Sequence, residues 1–375
     1  MFEKQRQEAG DNSQQFQANT VIVQNGIDEK RAREIIDEKL HEVILGYTQE
    51  AHITAERRIR QFADDLIPKL VKSNLVDELK DPSIQILLGE AQKTAASTER
   101  QQDYALLSEL LLHRIKKGSD RNIRAGISRA VKIVDEISDY ALLGLTVAHA
   151  FTNFSPTTGN IIEGITVFEN LFNKLIYDEL PLKAAWLDHL DILDAIRVSQ
   201  FGSFKNSNQY LSELFAGYID PGIEKSSEDY QQALEIIDQS SLPREILCDH
   251  ELLPGYSRLR LRNIKNIDFI IVENIPVVIS GGKIVLAPSR IQISPKQKQA
   301  LEEIYGLYSK ESNLRDSNVI EFLRLWDTRD SLKKLRLWWD SIPHSFSITE
   351  VGRVLAQANA QRCDPSVPAL NREIS

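Results

Sequence analysis

Cysteine is almost missing: Cys248 and Cys363 are the two in 375 residues. Thiols so few and so far apart supply neither a disulfide framework nor a cysteine-based zinc site, and they point to a reducing compartment. Long apolar runs are missing as well. The best, such as Tyr140 to Phe151, is too short and too interrupted to span a bilayer. The opening Phe2-Glu-Lys-Gln-Arg-Gln-Glu has no apolar centre, so it is not read as a signal peptide. The expectation is a cytoplasmic protein with no membrane contact. Charge of one sign is not in great excess. A net −9, with 26% charged residues of both signs, argues against wholesale coating of nucleic acid and leaves room for a local basic patch. Nucleotide motifs are missing too. Gly281-Gly282-Lys283 lacks the first glycine of a phosphate loop and the Ser or Thr after its lysine. There is no G-x-G-x-x-G and no G-x-S-x-G, and none of the seven histidines pairs with a credible serine or cysteine nucleophile. No cofactor is implied, and the reading leans away from an enzyme.

What is present begins at Gly10. The stretch from Gly10 to Gly26 is rich in amides, strand-prone and nearly free of charge. So short a segment cannot bury itself, and Val21, Ile22 and Val23 with their unpaired backbone groups need a partner. Strand exchange between copies, with Phe16 taking part, makes a homo-oligomer the expected assembly. The competing reading is a disordered polar tail. Asp28, directly after it, is a plausible cap for a helix, and that favours the ordered alternative.

Apolar residues then recur at spacings of three and four from Ile35 to Leu70. The spacing predicts one helix of about forty residues, roughly 60 Å long, acting as a coiled-coil-like arm over 27–80. A helical domain is expected over 81–242, with no fixed-period repeat. Residues 243–293 read as a small antiparallel sheet. Pro276 to Ser280 and Lys283 to Ala287 form a hairpin about Gly281-Gly282, preceded by a strand from Asp268 to Val272. Helix returns over 294–375, with Ser347 or Thr349 capping the last one and a loose tail from Asp364. The fold class is therefore mainly α: an irregular helical array with a long N-terminal helix and a small sheet inserted toward the C-terminus.

Several segments together carry a resemblance. They are Gly10-Asp-Asn-Ser-Gln-Gln-Phe-Gln-Ala, Asp81-Pro82-Ser-Ile-Gln, Leu107-Ser-Glu-Leu-Leu-Leu-His-Arg, Leu180-Pro181 before Trp186-Leu-Asp-His-Leu, and Ile348-Thr-Glu-Val-Gly-Arg-Val-Leu-Ala-Gln-Ala-Asn. The set resembles a family of uncharacterised, mostly α-helical bacterial proteins and implies no activity. The Gly-Asp-Asn-Ser start also resembles short β-forming segments of bacterial signalling and defence proteins, where they drive self-assembly. That likeness implies a role in bacterial stress or phage defence.

Five groups of side chains invite a chemical reading. Arg121, Arg124 and Lys132 share a helical face in the basic stretch 114–132 and could track phosphates; the preferred reading is a solvated face balanced by a neighbour's acids. Arg258, Arg260 and Arg262 alternate with leucines, so they form either an anion-binding face or an edge strand protected by charge, the latter preferred. Glu38 with His41, Asp188-His189 with Asp191, and Cys248-Asp249-His250 place histidine beside acid, but no second Glu-x-x-His exists and structural histidines are preferred. Asp249, Asp268 and Glu273 lack the lysine two residues beyond Glu273 that a nuclease reading would want. Trp326, Trp338 and Trp339 could stack on a base, though helix–helix core is the preferred reading. The functional expectation is a non-enzymatic oligomeric scaffold or sensor that binds a protein partner. A nucleic-acid-binding protein is the alternative, and a metal-dependent hydrolase the second alternative.

Overall fold

A computed structural model of the chain describes residues 27–117, 120–199, 202–266, 269–279 and 283–368. Phe16, Val21, Ile22 and Val23 lie outside the described residues. The chain is mainly α-helical, as its apolar spacing predicts, with fifteen helices and seven short to medium strands among the described residues.

The expected forty-residue arm is instead two helices, α1 (Glu29–Ile44) and α2 (Gln49–Lys72). Asp28 caps α1 by accepting from the Arg31 N–H at 2.8 Å. The break falls at Leu45-Gly46-Tyr47-Thr48, where glycine has poor helix propensity and Thr48 takes the extended backbone of a cap position. α2 folds back along α1, so the Ile27 N–H reaches the Asp77 carboxylate just beyond the far end of α2. One apolar stripe thus serves two helices that bury it in the core: Ile35, Ile36 and Leu40 from one, Ile59, Phe62 and Leu66 from the other. The longest helix, α2, spans 24 residues, about 36 Å rather than 60 Å.

Four helices follow and pack on one another: α3 (Pro82–Ser97), α4 (Gln101–Lys117), α5 (Arg121–Lys132) and α6 (Asp139–Asn153). Asp81, Asp120 and Ser138 cap three of them. Next come α7 (Ile161–Leu175), α8 (Ala185–Ile192), β1 (Ile196–Val198), α9 (Ser207–Leu214) and α10 (Ala216–Ile219). After these the chain leaves the main core. β2 (Ile223–Glu224), α11 (Glu228–Ser240), β3 (Leu247–Asp249), β4 (Tyr256–Leu259), the hairpin β5 (Phe269–Ile279) and β6 (Lys283–Gln292), and α12 (Pro295–Gly306) occupy the interval. Ile223, Ile237, Leu259, Leu301 and Ile304 form a second, smaller core there. The expected single sheet is two: a three-stranded sheet in the order β2-β4-β3, and the separate hairpin. The strand expected over 268–272 is the outer part of β5, which continues through a bulge between Val272 and Ile275.

α13 (Ser312–Asp327), α14 (Asp330–Ser341), β7 (Phe346–Ile348) and α15 (Glu350–Cys363) return to the first core. The boundary expected at 293/294 therefore does not follow the packing, because one hydrophobic cluster runs from Ala32 to Val367 around the second core. α15 is the centre of it. From Val354 to Ala360 every residue is buried, and small side chains at Gly352, Ala356, Ala358 and Ala360 let α4, α5 and α6 approach. At Gly352 a Cβ would stand 2.0 Å from the Ala195 carbonyl oxygen, so only glycine fits. Thr349 caps α15 by accepting from the Gly352 N–H at 3.2 Å, and β7 pairs antiparallel with β1 beside it. No helix among the described residues is long and apolar enough to cross a membrane.

Candidate ligand-binding site

The basic face of α5 is in place. Arg121 and Lys132 are exposed and Arg124 is half-buried. Among the described residues none of the three has a carboxylate within ion-pair distance; the pair on this helix joins Arg129 to Asp194 at 3.6 Å. Arg124 instead has a buried Nε without a partner. It also stands near Arg114, whose pKa is lowered by burial first and by the Arg124 charge second.

The expected arginine strand ends early: β4 stops at Leu259, so Arg258 lies in it and Arg260 and Arg262 follow it. β4 is the central strand of its sheet, so the edge-strand reading fails along with the anion-binding one. Arg258 is fully buried. Its Nε and Nη2 donate to both Glu251 oxygens at 2.8 Å, Nη2 also to the Gly159 carbonyl at 2.7 Å, and Nη1 to the carbonyls of Leu259 and Gly217 at 3.0 and 3.3 Å. The Tyr218 ring covers it at 5.3 Å. Every direction the guanidinium fork can donate in is taken, which lets a cation sit in a core. Arg262 donates to the Leu214 carbonyl at 2.8 Å, and Arg260 is half-buried and partnered. Arg258 and Arg262 join the two cores.

The histidine–acid pairs serve the fold. His41 contacts the Asp37 carbonyl, His189 Nε2 accepts from the Ser138 N–H, and His250 Nε2 meets the Asp220 carbonyl at 3.0 Å. Asp249 pairs with Lys225 at 2.6 Å. No three His, Cys, Asp or Glu side chains converge among the described residues. The tryptophans are core, as expected: Trp326, Trp338 and Trp339 are buried and donate to the carbonyls of Leu332, Pro181 and Lys205.

A site unmarked in the sequence reading lies between α6 and the α14–β7–α15 segment. A cavity of about 290 Å³ is lined by Ala148, His149, Thr152, Asn153, Phe204, Trp339, Phe346, Ile348 and Arg353. Its floor is the end of α6, where His149 is buried. His149 Nε2 meets Gln357 Oε1 at 3.2 Å, and its Nδ1 accepts from Asn153 Nδ2 at 3.2 Å. Burial, and after it the charge of Arg353, push the imidazole down to about 4, so it is neutral at pH 7. One wall is aromatic. Phe204 and Trp339 lie 4.6 Å apart between centroids, tilted by 35°, and Phe346 meets Phe204 edge-on at 5.1 Å. That wall is pinned: Asp340 accepts from the Ser207 N–H and hydroxyl at 2.6 Å each, and the Ser345 N–H donates to the Gly202 carbonyl at 3.0 Å. The remaining charged lining group, Arg353, donates Nε and Nη2 to Glu350 at 3.1 and 2.6 Å. An apolar wall with a few fixed polar groups is the usual build of a small-molecule site.

A protein-family model whose description reads ":-like" matches residues 26–251, more than half of the chain. The chain belongs to that family. The matched span holds the His149 side of the cavity and Phe204, and it stops before Trp339, Phe346 and Arg353. No curated protein and no solved structure matches the chain.

Proposed function

We propose that this family member is a non-enzymatic, ligand-responsive scaffold. Its cavity takes up a small molecule, its helical body presents the liganded form to a protein partner, and residues 1–26 join copies into an oligomer. The carrying observation is where the cavity lies. Its walls come from stretches far apart in sequence: 148–153, Phe204, Trp339 and 346–353. A ligand touching all of them ties the C-terminal helices to the N-terminal ones, and binding to the folded form stabilises it by mass action. A ligand at a hundred times its Kd would add about 2.7 kcal/mol to stability. The test is thermal unfolding of the full chain against fractionated small-molecule extract, with mass spectrometry of whatever co-purifies. A fraction that raises Tm supports the reading; a flat response across all fractions, with nothing co-purifying, removes it. The assembly element is tested separately by light scattering of the full chain beside residues 27–375. An oligomer that becomes monomeric supports it, and two monomers refute it.

The cations Arg121, Arg124 and Lys132, with no carboxylate in ion-pair distance among the described residues, favour a second reading, nucleic-acid binding along α5. Affinity that falls steeply with salt, and is lost when all three become Glu, would support it; salt-independent or absent binding would end it. Arg258 and Arg262 contribute nothing to this surface, since their guanidinium groups donate to groups inside the fold.

A further inference from the structure

We infer that the cavity beneath Trp339 is built for a planar, uncharged, hydrogen-bonding ring of nucleobase size, as the free base or the nucleoside. The inference rests on the reading of this cavity as a ligand site and adds the ligand's class.

Charge is the first argument. Arg353 is the lining residue with a formal charge at neutral pH, and Glu350 already engages two of its nitrogens. An anionic ligand would meet a guanidinium whose charge that carboxylate already offsets. A cationic one would face the guanidinium with no acid in the lining. Both cost more than placing a neutral ring there.

The hydrogen-bonding groups left over supply the second argument. Asn153 Nδ2 is committed to the His149 carbonyl at 3.0 Å, to His149 Nδ1 and to Thr152 Oγ1. Its Oδ1 makes no hydrogen bond among the described residues. Arg353 Nη1 is in the same position, since its ion pair uses Nε and Nη2. Two lining residues, Asn153 on α6 and Arg353 on α15, thus each keep one atom outside the described hydrogen bonds, an acceptor and a donor. A nucleobase edge carries the complementary donor and acceptor side by side.

Shape is the third. Trp339 spends its indole N–H on the Lys205 carbonyl at 3.1 Å, so toward the cavity it contributes apolar ring surface, joined by Phe204 and Phe346. Aromatic side chains hold bases with little regard to their identity. A volume of about 290 Å³ stands at the small end for ligand sites, enough for one base or nucleoside and too small for a dinucleotide.

The experiment is isothermal titration of the full chain with three sets of probes. The first is adenine, guanine, cytosine, uracil and their nucleosides. The second is the nucleoside 5′-monophosphates and indole-3-carboxylate, and the third is tryptamine. The expected result is binding within the neutral set, weakened at least tenfold by Asn153→Ala and by Phe204→Leu, each verified as folded by wild-type circular dichroism and a cooperative melt at the titration temperature. Binding confined to the charged sets overturns the ligand class and leaves the cavity as a ligand site. Neutral-set binding that both folded variants retain places the ligand elsewhere and overturns the inference. No binding in any set, with no Tm response to the extract fractions, overturns the ligand-site reading with it.

Discussion

Acidification should weaken this protein through its buried histidines, and His149 allows the size of the effect to be worked out. The imidazole is 3% exposed, and its pKa is lowered from the ordinary 6.5 to about 4. Its Nδ1 faces a donor, the Asn153 amide, so a proton there has no acceptor to meet. A group whose folded pKa is depressed binds fewer protons folded than unfolded, and stability therefore rises with pH across that window. The contribution is complete above 6.5 and is lost as pH falls from 6.5 toward 4. Between pH 7.5 and 5.0 the loss is about 2 kcal/mol for this one residue. His250, also lowered to about 4 by burial, should add a similar amount. Asp103 and Asp135 have raised pKa values from burial and work in the opposite direction at the acid end. A comparison of variants cancels them. Urea titrations at pH 7.5 and 5.0, followed by fluorescence of the four buried tryptophans, would compare the wild type with His149→Gln. The variant should lose about 2 kcal/mol less than the wild type over this interval. Equal losses in both proteins would mean that the folded state accepts the proton at His149, and the argument from burial would be wrong.

Further outcomes follow from the packing. Arg258→Ala empties the space of a fully buried side chain and strips donors from three carbonyls, so it should cost about 3–5 kcal/mol and separate the melting of the two cores in calorimetry. Gly352→Ala forces a Cβ against the Ala195 carbonyl and should cost roughly 1–3 kcal/mol by denaturant titration, whereas Gly306→Ala meets open space and should be near neutral. Arg258→Lys keeps the charge but not the fork, and a stability close to wild type there would refute the geometric account of that residue.

Helix spacing made most of the architecture legible, including the cap at Thr349 and the core role of the tryptophans. The α1–α2 break was hidden because both helices bury the same face, so the three-four spacing runs on through Leu45 and Gly46. The signal was there in Gly46 followed by Thr48. Arg258 misled because alternating arginine and leucine looks like a sheet with one wet face. What pays for its burial comes from Glu251, Gly159 and Gly217, which only the tertiary fold assembles. The cavity was invisible for the same reason: His149 and Arg353 belong to helices more than two hundred positions apart. A weak sign did exist. His149 is the lone titratable residue in an apolar run that leads into Thr152 and Asn153.

The position of α15 also sets an order of events during synthesis. Its partners are made long before it: His113 and Gln361 are 248 positions apart, Thr146 and Asn359 213, His149 and Gln357 208. At a translation rate of roughly 5–20 residues per second, α4, α5 and α6 wait on the order of 10–50 s with the trough for α15 open. That trough is lined by leucine, isoleucine and alanine side chains that are buried once α15 arrives. A nascent or prematurely terminated chain therefore displays an adhesive groove to chaperones and to its neighbours. It also lacks Arg353, so it cannot form the complete cavity.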